Sequence, residues 1–219
     1  MKVVPLPKLL FSLFCAAAVL FSGCSDSEPD VVSAKGYVVF DFPDEKNPPS
    51  VRLAAFAEVS SEVRRVDSIR IRNAASDFEW NCFSPAVFSN EKKQWSGYTD
   101  FFSPDGTNMP VGVYNFFYID AQGNEVSSSF LINYSEKLVG STAEKALQIL
   151  QENAVEQYAL YSEKNMLLYF GAKKQGWTDD SKIFSSDKKS SYYRKIYIGT
   201  NDSSVCIMPP VYKKTNQNK

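Results

Sequence analysis

The chain has 219 residues, with 24 Lys and Arg against 25 Asp and Glu, and no histidine. Charge this balanced supplies no basic stripe for nucleic acid. A chain without imidazole cannot run Ser-His-Asp or Cys-His catalysis or hold a metal through histidine.

The first residues carry an address. Lys2 and Lys8 precede an apolar run from Leu9 to Phe21, 13 residues long and broken only by Ser12. That is short of the ~20 needed to span a hydrocarbon core as a helix, and it fits the h-region of an export signal. Phe21-Ser22-Gly23-Cys24 follows. It resembles the lipobox of bacterial lipoproteins, with Phe where Leu is usual, and the resemblance covers the first two dozen residues. It implies removal of residues 1–23, a thioether-linked diacylglycerol on Cys24 and acylation of the freed amino group, for example by palmitate. The membrane is then a partner through the N-terminal lipid. The expected location is the cell membrane or the outer membrane, facing the periplasm or the exterior. Several chains would hold firmly, since each buried CH₂ contributes ~0.8 kcal/mol. Loss of Lys2 and Lys8 leaves 22 basic and 25 acidic residues, a net of −3. Residues 24–35, with the polar stretch SDSEPDVVSA, read as a flexible tether.

From Gly36 the pattern turns to strands. GYVVFDF (36–42) is rich in residues that suit a pleated surface, and PDEKNPPS (43–50) is a turn cluster. VRLAAFAEV (51–59) alternates, with Val51, Leu53, Ala55, Ala57 and Val59 on one face. VDSIRIRN (66–73) alternates Ile69 and Ile71 against Arg70 and Arg72. FEWNCF (78–83) sets Phe78, Trp80 and Cys82 on one face. In 109–134, Val113–Ile119 and Ser127–Tyr134 flank the turn DAQGN (120–124), where Gly123 can take a positive φ. Pro110, Gly112, Tyr114, Asp120, Gly123 and Asn124 carry a resemblance to the late strands of Ig-like or fibronectin-type sandwiches of secreted bacterial proteins. With short strands spaced along ~100 residues, it implies a mainly β fold: an Ig-like antiparallel β-sandwich over 36–134.

A smaller α+β portion is expected over 135–212. Ser141-Thr142-Ala143-Glu144 reads as a capping box with Ser141 as the cap, opening a helix over about 142–153 whose Ala146, Leu147, Ile149 and Leu150 form an apolar face. QYALY (157–161) and MLLYF (166–170) pair around SEKN. RKIYIG (194–199) and SVCIMP (204–209) pair around TNDSS. A short helix is expected near Asp179–Phe184. Residues 213–219 are a polar tail.

Chemistry-bearing residues are few. Cys15 falls in the signal, leaving Cys82 and Cys206 as either one disulfide or two buried thiols. Trp95, Tyr98, Phe101 and Phe102 cluster in QWSGYTDFFSPDG (94–106). Such aromatics either contact a sugar or protein partner or close one end of the core. Trp177 either joins them as a contact residue or plugs a gap between the two portions. Asp100, Asp105 and Asn108 could offer oxygens to calcium but lack EF-hand order; Asp179 and Asp180 could do so or serve as first-turn acids that complement a helix dipole, and no metal or cofactor is assigned. Lys173, Lys174, Lys182, Lys188, Lys189, Arg194 and Lys195 form the densest basic set, either a patch that touches anionic head groups near the tether or, the simpler account, a solvated mixed-charge surface. No phosphate loop, G-x-S-x-G elbow or Cys cluster occurs. The function expected is therefore non-enzymatic: a lipid-anchored binding or scaffolding module of the cell envelope with a protein partner. A carbohydrate- or solute-binding lipoprotein using loop aromatics is the alternative.

Overall fold

A computed structural model describes residues 29–60, 65–76, 78–103, 108–150, 153–201 and 203–214. The signal segment, Cys24 and Asp105 lie outside the described residues. The elements are β1 (Val31–Asp41), β2 (Ser50–Val59), β3 (Val66–Asn73), β4 (Glu79–Cys82), β5 (Ala86–Asn90), β6 (Lys93–Phe102), β7 (Gly112–Asp120) and β8 (Glu125–Ile132). A 3-10 turn (Glu136–Leu138), α1 (Ala143–Leu150), β9 (Ala154–Ser162), β10 (Leu167–Gly171), α2 (Asp180–Ser185), β11 (Ser190–Gly199), β12 (Val205–Met208) and β13 (Tyr212–Lys213) complete the chain.

The protein is mainly β. A nine-stranded sheet has the order β10-β9-β11-β12-β1-β2-β6-β5, with β13 also pairing to β11, and a four-stranded sheet has the order β4-β3-β7-β8. Within the first eight strands, β1-β2-β6-β5 opposes β4-β3-β7-β8. That is the A-B-E-D against C′-C-F-G arrangement of an Ig-like sandwich. The two sheets pack face to face because each alternates. Val38, Phe40, Leu53, Ala55 and Ala57 point inward from the large sheet, and Ile69, Ile71, Trp80, Cys82, Tyr114, Phe116, Tyr118, Phe130 and Ile132 point inward from the small one. Tyr114, near the start of β7, donates its hydroxyl to the Pro110 carbonyl at 2.7 Å, as the tyrosine corner of such sandwiches does.

Four local expectations shift. β1 begins at Val31 rather than 36, because Val31, Ser33, Ala34 and Lys35 pair along the far end of β2. This takes residues 31–35 out of the expected tether. QWSGYTDFF is strand, not loop: β5 and β6 form a hairpin in register from Ala86↔Gly97 to Asn90↔Lys93. The helix cap moves one residue, because the Ser141 hydroxyl donates to the Leu138 carbonyl at 2.8 Å. Thr142 therefore accepts from the Lys145 amide, and α1 spans Ala143–Leu150. The edge of the expected sandwich at residue 134 does not interrupt the sheet. β12 pairs in parallel with β1, Val38↔Val205 to Asp41↔Met208, and so joins β11, β9 and β10 to the sandwich. A second, smaller core of Tyr158, Leu160, Trp177, Ile183, Phe184 and Tyr193 lies where α2 covers β9 and β11.

Candidate functional site

The outward face of the large sheet carries the site. Alternation that sends Val38 and Phe40 inward sends Lys35, Tyr37 and Val39 outward. In β2 it sends Ala54 and Phe56 outward. With Phe88, Trp95, Ile198 and Cys206 these residues line a groove of about 370 Å³, within the size range of small-molecule pockets. Its walls are apolar throughout, so Lys35 contributes its methylene stem and holds its ammonium outside. Gly97 makes the groove possible. A Cβ there would stand 2.3 Å from the Phe56 ring, so the ring lies directly over Gly97. Phe88 meets Phe56 edge-on at 5.6 Å.

Charges border this strip and neutralise one another. Arg52 bridges Asp41 and Asp100, each at 2.9 Å, and Arg194 reaches Asp41 from β11. On the Trp95 side, Lys93 pairs with Glu58 at 2.9 Å. Lys35 is exposed and, among the described residues, has no ion-pair partner.

The sequence-predicted residues separate. Trp95 is half-buried and lines the groove. A bulge opposite Leu53–Ala55 resets the alternation of β6. As a result Tyr98 and Phe101 turn inward together, their rings edge-on at 5.2 Å, with Phe101 3% exposed. Phe102 is exposed but lines a separate hollow with Pro48, Pro49 and Asn108, and its carbonyl accepts the Trp80 indole N–H at 2.6 Å. Trp177, expected to be partly exposed, is 3% exposed. It is packed by Tyr158 at 5.6 Å and Tyr169 at 5.0 Å, with the Lys174 ammonium over its ring. Sequence reading missed Tyr37, Phe56 and Phe88, which become neighbours only once the register of four strands is known.

Cys82 and Cys206 do not pair. Cys82 is in the core between the sheets, whereas Cys206 faces the groove. Burial pushes the Cys206 thiol up to about 11 against the pull of Arg52 and Arg194, so it is protonated at neutral pH and a poor nucleophile. Asp100 is engaged by Arg52. Asp179 caps α2, its carboxylate accepting from the Ser181 hydroxyl and the Lys182 amide. Those bonds, with one from Thr178, hold it below the usual carboxylate range. No group of three metal-ligating side chains occurs among the described residues. The basic set does not form one patch: neighbours Arg194 and Lys195 serve Asp41 and Glu156 on opposite faces of β11. Among the described residues no helix is long and apolar enough to cross a membrane.

The chain matches no protein-family model, and no curated protein is significantly similar to it in sequence.

Proposed function

We propose that this chain is a lipid-anchored envelope protein that works as a non-enzymatic binding module, and that it binds through the outer groove of its large sheet. The observation that carries this is an apolar groove built from Tyr37, Phe56, Phe88 and Trp95 on the outward face of the large sheet, which no other element covers among the described residues. Concave, mostly apolar clefts of this volume are where small ligands bind. The address rests on the Phe21–Cys24 motif, which places a lipid seven residues before β1.

Two experiments test the two halves. Metabolic labelling with an alkyne-bearing palmitate should mark the full chain and not the Cys24→Ala chain; label retained on the variant overturns the anchoring. A photo-crosslinking residue in place of Phe88, which is 47% exposed, should give adducts in intact envelopes, and Ala54→Trp should abolish them by filling the groove. Adducts that survive Ala54→Trp overturn the groove as the binding surface.

A solute is favoured over a carbohydrate as the small ligand. Trp95 is the one aromatic of the predicted cluster in the groove, and the faces turned into it are apolar, with too few polar groups for the several hydroxyls of a sugar. Burying hydroxyls without partners is costly.

A further inference from the structure

Resting on that groove as the binding site, we infer that its ligand is a single long-chain fatty-acid anion, its acyl chain along Phe56, Trp95 and Tyr37 and its carboxylate at Lys35. Three observations converge. The walls are apolar throughout, so a ligand bound there must be apolar along its length. β2, at the middle of the groove, has its backbone groups in ladders on both sides, with β1 and β6; β1 is laddered by β2 and, over Val38–Asp41, by β12, and β5 forms the sheet's edge beside Phe88. A peptide laid in the groove would therefore leave its own amides without partners, whereas an acyl chain has none to satisfy. The third observation is the charge. Asp41, Asp100 and Glu58 are each engaged by a cation, while the Lys35 ammonium stands at the groove without an ion-pair partner among the described residues. A carboxylate would complete it with a charge-assisted hydrogen bond.

A second copy of the chain fits worse. Flat contact across this face would desolvate the Arg52, Asp41, Asp100 and Arg194 network around the strip. A bilayer surface fits worse too, since one groove accommodates one chain and not a leaflet.

The test uses the full chain in envelope membranes with a palmitate analogue carrying a diazirine at mid-chain. Irradiation should label the peptides that hold residues 35–39, 54–56 and 95. Palmitate should compete, and hexadecanol should compete about tenfold less well, the loss of one charge-assisted bond. Shortening the competitor should weaken it about fourfold per methylene while the chain still lies within the groove. Lys35→Gln should erase the preference for palmitate over hexadecanol without changing the melting temperature, and Ala54→Trp should remove the label. Equal competition by hexadecanol, label outside the groove, or label that vesicles of diacyl phosphatidylglycerol compete as well as palmitate overturns the inference. So does a crosslink from position 88 to a second copy or to a peptide. If the palmitate analogue fails while Ala54→Trp still abolishes the position-88 adducts, the ligand class falls and the binding groove stands. If both fail, both fall.

Discussion

Gly36 tests how the two sheets lock together. It lies inward in β1, and a Cβ built there would stand 2.1, 2.6 and 2.9 Å from three atoms of the Phe130 ring in β8. Carbon atoms in contact sit ~3.5–4.0 Å apart, so Gly36→Ala requires the ring to withdraw by more than ~1 Å. It has little room to do so. Phe130 stacks on Tyr114 at 5.5 Å and 15°, and Tyr114 stacks on Trp80 at 6.3 Å and 21°, forming a row across the small sheet. Overpacking of this kind costs ~1–3 kcal/mol, here at the upper end, offset by ~0.5–1 kcal/mol from replacing Gly within a strand. The net loss expected is about 2 kcal/mol, or roughly 4–8 °C in Tm for a chain of this size. Phe130→Leu alone should cost about 1–2 kcal/mol through lost packing. The double variant should lose less than the sum, because the shortened side chain vacates the place the new methyl takes. Urea denaturation of the four chains gives the coupling, expected at 1 kcal/mol or more on the scale of contacting pairs. Additivity within ~0.5 kcal/mol, or a Gly36→Ala chain as stable as the parent, would refute the interlock.

Tyr114→Phe should cost about 1–2 kcal/mol by removing the bond to Pro110 from a fully buried ring, read as a lower urea midpoint with unchanged slope. For Asp120, burial alone would raise the carboxyl, but hydrogen bonds from the Asn124 side chain and from the Asn124 and Gln122 amides outweigh it and hold it below the usual range. A depressed folded value stabilises above the unfolded value of ~3.9 and is lost as pH falls through the folded one. Asp120→Asn should therefore flatten the acid limb of a stability-versus-pH curve below about pH 5. A fragment ending at residue 134 should fail to fold, because Leu138, Leu150, Val205 and Ile207 all belong to the main core. At ~1.5–3 kcal/mol each they supply about 6–12 kcal/mol, comparable to a whole domain's stability. Circular dichroism of the fragment decides it, and a cooperative melt would refute it.

What the sequence discloses depends on whether the signal is local. Alternation exposes β2, β3 and β7 because one face of each is buried, and the β7–β8 turn is legible because Asp120, Gly123 and Asn124 are the residues such a turn needs. The β5–β6 hairpin is hidden because its turn uses Glu91 and Lys92, at φ 50° and 66°, where Asn-Gly is the recognisable pair. Trp95 could be singled out as an aromatic, but its separation from Tyr98 and Phe101 follows from a bulge with no signature of its own. Trp177 sits in a polar, Gly-flanked stretch that reads as open, and it is buried by Tyr158 of β9, Tyr169 of β10 and Lys174 within the second core. The parallel pair of β1 and β12 joins segments far apart in the chain, and no pattern in either announces the other.

That pairing also makes the groove. An Ig-like sandwich ending at β8 would leave β1 with a free edge beside β2, and the outer face would stop at Tyr37 and Val39. β12 covers that edge over Val38–Asp41 and brings Cys206 beside Val39, and β11 brings Ile198 beside Cys206. These three side chains close one side of a strip that Phe56, Trp95 and Phe88 close on the other. The C-terminal portion is thus both the completion of the core, through Val205 and Ile207, and one wall of the binding surface, through the residues that alternate with them. A substitution that loosens β12 should weaken folding and binding together, whereas one at Phe88, on the opposite side, or at the exposed Lys35 should touch binding alone.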